Sequence, residues 1–134
     1  MDKYRILVKG IVKYEDHYLI LKKWYDDRIA DPYQWDFVDG SLEFMEEPDK
    51  AVLRHIYEQT GIPVMIDKLL YTWTFLTGDV FNIGISYLCI ASLDNVVISE
   101  ELNDYLWITK EEFPEYLNKK VLDDIERVDL EDLI

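Results

Sequence analysis

The residues of this chain best suited to chemistry lie in one short stretch, Arg54-His55-Ile56-Tyr57-Glu58-Gln59-Thr60-Gly61-Ile62. It reads like the end of a helix that holds a metal ion. His55, Glu58 and Gln59 fall within about one helical turn, so their side chains converge on one side. Glu58 supplies a carboxylate, the ligand type a hard divalent cation prefers. Gln59 offers a carbonyl oxygen without charge. His55 offers a nitrogen, which suits zinc, manganese or nickel better than magnesium. Each also has a plain structural reading. His55 serves as a polar surface residue, Gln59 as an ordinary helix former, and Glu58 as an i, i+4 partner for Arg54.

The surrounding pattern says what positions these groups. "YRILVKGIVKY" and "HYLILKKWY" are β-rich runs joined by the polar "EDH", which predicts a long hairpin. The loop "DDRIADPYQ" leads to a short strand, "WDFV", and a turn at Asp39-Gly40. From Pro48 to Gln59 the period is helical. Pro48 suits a first turn, Asp49 complements its positive end, and Gly61 followed by Pro63 supplies the stop. "DKLLYTWTFLTG" and "VFNIGISYLCIAS" predict an antiparallel pair turning around Thr77-Gly78-Asp79. "DYLWIT" predicts a further strand, and "KEEFPEYLNKKVLDDIERV" one or two C-terminal helices interrupted near Pro114. The class is α+β, with helices packed on a sheet.

Composition bounds the function. A chain of 134 residues makes one domain with a real core, residues 1–134. Its net charge of -14 argues against a DNA or RNA duplex as partner, which needs clustered Lys and Arg. A small phosphorylated ligand stays open, because divalent cations bridge acidic side chains to phosphate. Seven of the basic residues fall in the first thirty positions, and the chain from Asp94 onward is acidic, as expected of a solvated face. Cys89, the only cysteine, sits in an apolar run and reads as a buried structural thiol in a reducing cytoplasm. No apolar run approaches a membrane span, and "MDKYRILVKG" lacks the apolar core of a signal peptide, so a cytoplasmic protein without a membrane partner is expected.

From Gly40 the sequence runs "GSLEFMEEPDKAVLRHIYEQTGI". This resembles the Nudix box, G-x5-E-x7-R-E-U-x-E-E-x-G-U with U a bulky aliphatic residue. Gly40, Glu46, Arg54, Ile56, Glu58, Gly61 and Ile62 fall in register over residues 40–62, while His55 and Gln59 stand where the pattern has Glu. "WDFVDGSLE" resembles the lead-in W-x-x-P-G-G-x-x-E, with Val38 and Asp39 in place of Pro and the first Gly. "SEELNDYLWITKEEF" resembles the family's later segment. The resemblance therefore spans almost the whole chain. It implies a Nudix-type α/β/α sandwich with a mixed β-sheet, and a loop-helix-loop for the box.

The resemblance also implies roles. Family members generally hydrolyse a nucleoside diphosphate linked to another group, using Mg2+ or Mn2+. Arg54 and Glu46 would pair to orient the loop, with Gly40 and Gly61 as structural residues. Glu58, Glu43, Glu46 and the backbone carbonyl of Asp39 would be metal ligands. Glu58, His55, Gln59 and Glu101 (or its neighbour Glu100) would serve catalysis, and the small Ala51 would leave room for ions. Losing two carboxylates within about 4 Å of a cation costs roughly 1 to 4 kcal/mol each. Outside the box, Arg28, Tyr33, Trp35 and Trp73 are candidates to hold a small nucleotide-type substrate, by stacking a base or gripping phosphate. Trp24 and Trp35 equally suit the core at strand ends, and Trp73 and Phe75 share a strand face that either lines a pocket or fills the core.

Three functional readings follow: a Nudix hydrolase of the diphosphate bond, a non-catalytic Nudix-fold module that binds a nucleotide or a protein, and the isomerases of the same fold that use a reactive cysteine. A homodimer is open under all three.

Overall fold

The computed structural model describes residues 2–24 and 33–134. Its spine is β1 (Lys3–Tyr14), in which Leu7 and Ile11 point to one face and Val8 and Val12 to the other. All four are buried, which explains a run apolar at nearly every position: the strand is covered on both sides. β2 (His17–Lys23) repeats the pattern, with Tyr18 and Ile20 opposite Leu19 and Leu21.

The predicted hairpin is only partly formed. β1 and β2 pair at Lys13↔Tyr18 and Tyr14↔His17 and then splay. The short strands β3 (Trp35–Asp36) and β4 (Val38–Ser41) enter the gap, β3 pairing antiparallel with β2 and β4 with β1. The turn expected at Asp39-Gly40 is therefore a strand, its backbone matched to Lys9 and Val8. The glycine there answers a close approach, described below, and not a turn.

β5 (Val64–Thr77) and β6 (Val80–Ala91) form the long antiparallel pair, turning at Gly78 with φ of 61°. β6 runs parallel to β1 from Lys3↔Val80 to Lys13↔Ile90, and β7 (Leu102–Ile108) closes the far edge against β2. Seven strands thus make one mixed sheet among the described residues.

Helix α1 (Pro48–Thr60) covers one face. Ala51, Val52 and Ile56 pack there with Val8, Val12, Leu19 and Val38. Ala51 is wholly buried in this layer, so its small side chain serves packing rather than room for ions. Burying a side chain the size of Ile56 contributes about 1.5 to 3 kcal/mol. The helix stops at Gly61, whose φ of 71° is the left-handed region glycine adopts without strain.

The other face is covered by α2 (Phe113–Tyr116) and α3 (Lys119–Val128). Pro114 lies in the first turn of α2 and does not interrupt it. The break falls at Leu117, and Asn118 caps α3 by accepting from the backbone N–H of Val121 at 3.1 Å. Helix, sheet and helices stack as an α/β/α sandwich, and no helix among the described residues is long and apolar enough to cross a membrane.

Candidate active site

The segment 40–62 is held together by Arg54. Its Nε donates to Glu46 Oε2 at 2.8 Å, and its Nη2 donates to Glu46 Oε1 at 3.0 Å and to Ser41 O at 3.3 Å. The backbone N–H of Glu43 donates to the same carboxylate at 3.1 Å. Arg54, followed by that N–H, holds the Glu46 carboxyl at about 2, far below its ordinary value. Glu58 reaches Arg54 at 3.4 Å and Glu43 at 3.8 Å, both from exposed positions. One guanidinium therefore gathers Glu43, Glu46 and Glu58, and joins them to the end of β4.

The two inner positions of the helix are wired to β4 directly. Gln59 is 4% exposed and its Nε2 donates to the carbonyl of Asp39 at 2.9 Å. His55 Nε2 lies 2.8 Å from the carbonyl of Ser41, which can only accept, so this nitrogen carries the proton. His55 Nδ1 is then an acceptor, and the Gln59 amide faces it at 3.5 Å. Turning that amide around would set its oxygen against both acceptors, so the chain of contacts fixes the amide as well as the tautomer. Gly40 makes this possible. A Cβ there would lie 2.1 Å from His55 Cε1, so the imidazole rests on bare backbone.

The resemblance implies a divalent cation at this place. A hard cation takes about six oxygen ligands, preferably several carboxylates. Both Glu46 oxygens are committed to Arg54, the Asp39 carbonyl accepts from Gln59, and the inner positions present N–H groups. The buried Gln59 Oε1 has no partner, but it is a single neutral oxygen. Among the described residues, no group of three or more His, Cys, Asp or Glu is gathered so as to hold a metal ion. This donor set does not fit a hard divalent cation.

On the other face of β4 lies a cleft of about 280 Å³. Its wall carries Arg5, Lys9, Lys23 and Lys120 against Asp36, Asp39 and Asp124, so cations outnumber carboxylates there in a chain of net charge -14. Lys9 is 2% exposed and pairs with Asp36 at 3.0 Å. Burial works against its charge, but Asp36, with Tyr71 and Asp39 beyond, outweighs it and raises the Lys9 pKa above its ordinary value. Lys23 pairs with Asp39 at 2.6 Å. Burial opposes ionisation of Asp39, yet Lys23 and then Lys9 hold its carboxyl below the ordinary range. Trp73 and Phe75 stack at 5.4 Å and 10° along the cleft, with Lys9 Nζ 4.4 Å above the indole. Trp73 lies flat across Gly84, where a Cβ would come within 2.0 Å of the ring.

Of the residues singled out from sequence, Asp39 and Gly40 line both the cleft and the box, and Trp73 lines the cleft. Trp35 turns away, with its ring edge-on to Tyr116 at 6.2 Å and its carbonyl accepting from Asn118. Tyr33 is exposed beside Trp24, and Arg28 lies outside the described residues. Glu101 is exposed on the loop before β7. That loop is fastened to the end of α1, because Ser99 and Val97 donate backbone N–H groups to the carbonyls of Gln59 and Thr60, both at 3.0 Å. Glu101 is close enough to Lys23 to favour its charged form, after Asp39. Lys9, Lys23, Asp36 and Arg5 were not singled out. The signal for Lys9 was present: a charge at an inward position between Leu7 and Ile11.

No protein-family model matches the chain. It is 28% identical over 128 residues to the nucleoside triphosphatase NudI of Klebsiella pneumoniae (strain 342), spanning 84% of this chain and 86% of that one. Its fold is similar to the MutT protein of Methanosarcina mazei Go1, with a TM-score of 0.86 and 24% identity over 98% of this chain and 96% of that one. It is also similar to the Nudix domain of Shewanella oneidensis NrtR, determined with ADP-ribose, with a TM-score of 0.79 and 16% identity over 100% and 91% of the two chains. With a sandwich of this shape, and an arginine–glutamate clamp seated where the box motif falls in register, the chain is similar to Nudix hydrolases in fold and in the build of its box.

Proposed function

We propose that the chain binds a nucleoside diphosphate derivative in the cleft and hydrolyses its diphosphate bond. The observation that carries this reading is the stacked Trp73–Phe75 pair beside Arg5, Lys9, Lys23 and Lys120. Trp73 is sandwiched between Gly84 and Lys9, so the half-buried Phe75 beside it is the ring that suits a base, while fixed cations suit phosphates. Nucleotides are also what two similar proteins are named for, a nucleoside triphosphatase and a domain crystallised with ADP-ribose.

Hydrolysis requires water to add to phosphorus, the P–O bond to break, and a carboxylate to take the water proton. Glu58 on α1, paired with Arg54 at 3.4 Å, and Glu101, on the loop before β7 and close enough to Lys23 to favour its charge, are the carboxylates we assign to that role. Asp39, tied to Lys23 at 2.6 Å, instead orients the lysine toward phosphate.

A second reading, binding without hydrolysis, is favoured by a specific observation: His55 and Gln59 donate to β4 carbonyls instead of presenting carboxylates. One assay decides between them. Purified protein is incubated with nucleoside triphosphates, nucleoside diphosphates and ADP-ribose, and the release of phosphate or nucleoside monophosphate is followed. Turnover that falls at least about tenfold with Glu58→Gln or Glu101→Gln supports the hydrolase. Saturable binding with no product from any of them establishes the second reading. Neither binding nor product sinks both.

A further inference from the structure

The box and the cleft share one strand, β4, and their charges are arranged in opposite ways. Where the box resemblance implies a cation, this chain has neutral and cationic donors. Gln59 reaches Asp39 O at 2.9 Å, His55 reaches Ser41 O at 2.8 Å, and Arg54 gathers Glu43, Glu46 and Glu58. A carbonyl oxygen held by an amide N–H has an electropositive neighbour already, and needs no ion to satisfy it. On the cleft side of the same strand, Lys9, Lys23 and Lys120 are each paired with an aspartate and Arg5 with the neutral Asn82, so the lining holds one cation more than carboxylates for a diphosphate to meet in place of bridging cations.

We propose that this chain closes its box, and takes a nucleoside diphosphate in its cleft, without a divalent cation, the hydrogen bonds of Gln59, His55 and Arg54 replacing the ion at the box and Lys23, Arg5 and Lys120 replacing it at the phosphates. The half of this that concerns the cleft rests on the nucleotide reading above. The half that concerns the box stands on the β4 hydrogen bonds alone. Replacing Gln59 by Glu then reverses the logic. It sets a buried carboxylate against the Asp39 carbonyl and the His55 Nδ1 lone pair, an arrangement of acceptors only, which a cation would relieve.

The test uses the full chain and has two arms. In the first, ADP is titrated calorimetrically in chelator and then with Mg2+. The dissociation constants are expected to agree within about threefold, whereas loss of a required bridging cation weakens binding by roughly tenfold or more. Binding only with Mg2+ overturns the inference and leaves the nucleotide reading intact. No binding in either condition removes that reading and the cleft half with it.

In the second arm, melting is followed for wild type and Gln59→Glu, in chelator and with Mn2+, alongside direct Mn2+ binding by electron paramagnetic resonance. Wild type is expected to melt at one temperature in both and to leave Mn2+ free. Gln59→Glu is expected to melt lower in chelator and to be raised by Mn2+. Mn2+ bound by wild type and lost in Glu58→Gln overturns the box half. If Gln59→Glu does not fold, the wild-type Mn2+ measurement still decides it.

Discussion

Gly40 is the residue on which the box geometry turns. It is not needed for a turn, since its backbone lies in a strand paired with Val8. It is needed because the His55 imidazole occupies the space a side chain would take, 2.1 to 2.3 Å from the position of a Cβ. Gly40→Ala must therefore drive the ring off the Ser41 carbonyl and break the contact with Gln59. Losing one good hydrogen bond and straining a packed contact costs about 1 to 3 kcal/mol, read as a fall in the urea midpoint. The same substitution in a His55→Ala background meets no ring and is expected to cost under about 1 kcal/mol. Equal costs in both backgrounds would mean that the strand itself, and not the imidazole, demands glycine.

At the level of the element, the Arg54–Glu46 clamp is what joins the loop to α1, and its pH dependence has a definite sign. The Glu46 carboxyl is lowered from 4.5 to about 2, first by its hydrogen bonds to Arg54 and then by the Glu43 N–H. A carboxyl depressed in the folded state contributes stability that is present above its unfolded value and lost as pH falls toward its folded one. The clamp is thus fully effective above 4.5 and fails on the way down to about 2. Glu46→Gln should flatten the stability curve in that window and leave the slope above it unchanged. A curve as steep as wild type would assign the acid limb to other carboxylates. This clamp was foreseen only through the resemblance to the Nudix box, since spacing alone pointed to the Arg54–Glu58 pair at i, i+4. The helix with its Gly61 stop and the β5–β6 pair were legible in the sequence itself, because they depend on local geometry. What the sequence did not disclose depends on long-range pairing: the entry of β3 and β4 between β1 and β2, and the strand at Asp39-Gly40. The roles of His55 and Gln59 were hidden for the same reason, since their partners are β4 carbonyls that no spacing reveals.

For the molecule as a whole, the two cores meet different chemical demands. The α1 side is dry. Cys89 lies fully buried there, and burial pushes its thiol up to about 12, so the thiolate a reactive cysteine needs is not formed and the isomerase reading has no nucleophile. Its labelling by a disulfide reagent should run no faster than global unfolding, and rapid labelling of the native protein would contradict the packing described. The α3 side carries a charge inside it. Lys9, at an inward β1 position, is balanced by Asp36 at 3.0 Å and covered by the Trp73 ring at 4.4 Å. Removing one partner of a buried pair strands the other, which costs about 3 to 5 kcal/mol when neither reaches water. The Asp36 side chain keeps 27% of its exposure, so Lys9→Met belongs near the lower end of that range, about 3 kcal/mol by chemical denaturation. Replacing both, Lys9→Met with Asp36→Asn, leaves no stranded charge and should recover most of the loss. It should also weaken nucleotide binding in the cleft, because the cation facing the indole is gone. If the double variant is stable and binds as wild type does, Lys9 is a tolerated burial with no part in the site. If it is stable and binding falls, the charge inside the α3 side is kept for the ligand, and the sandwich carries its stability in one core and its recognition in the other.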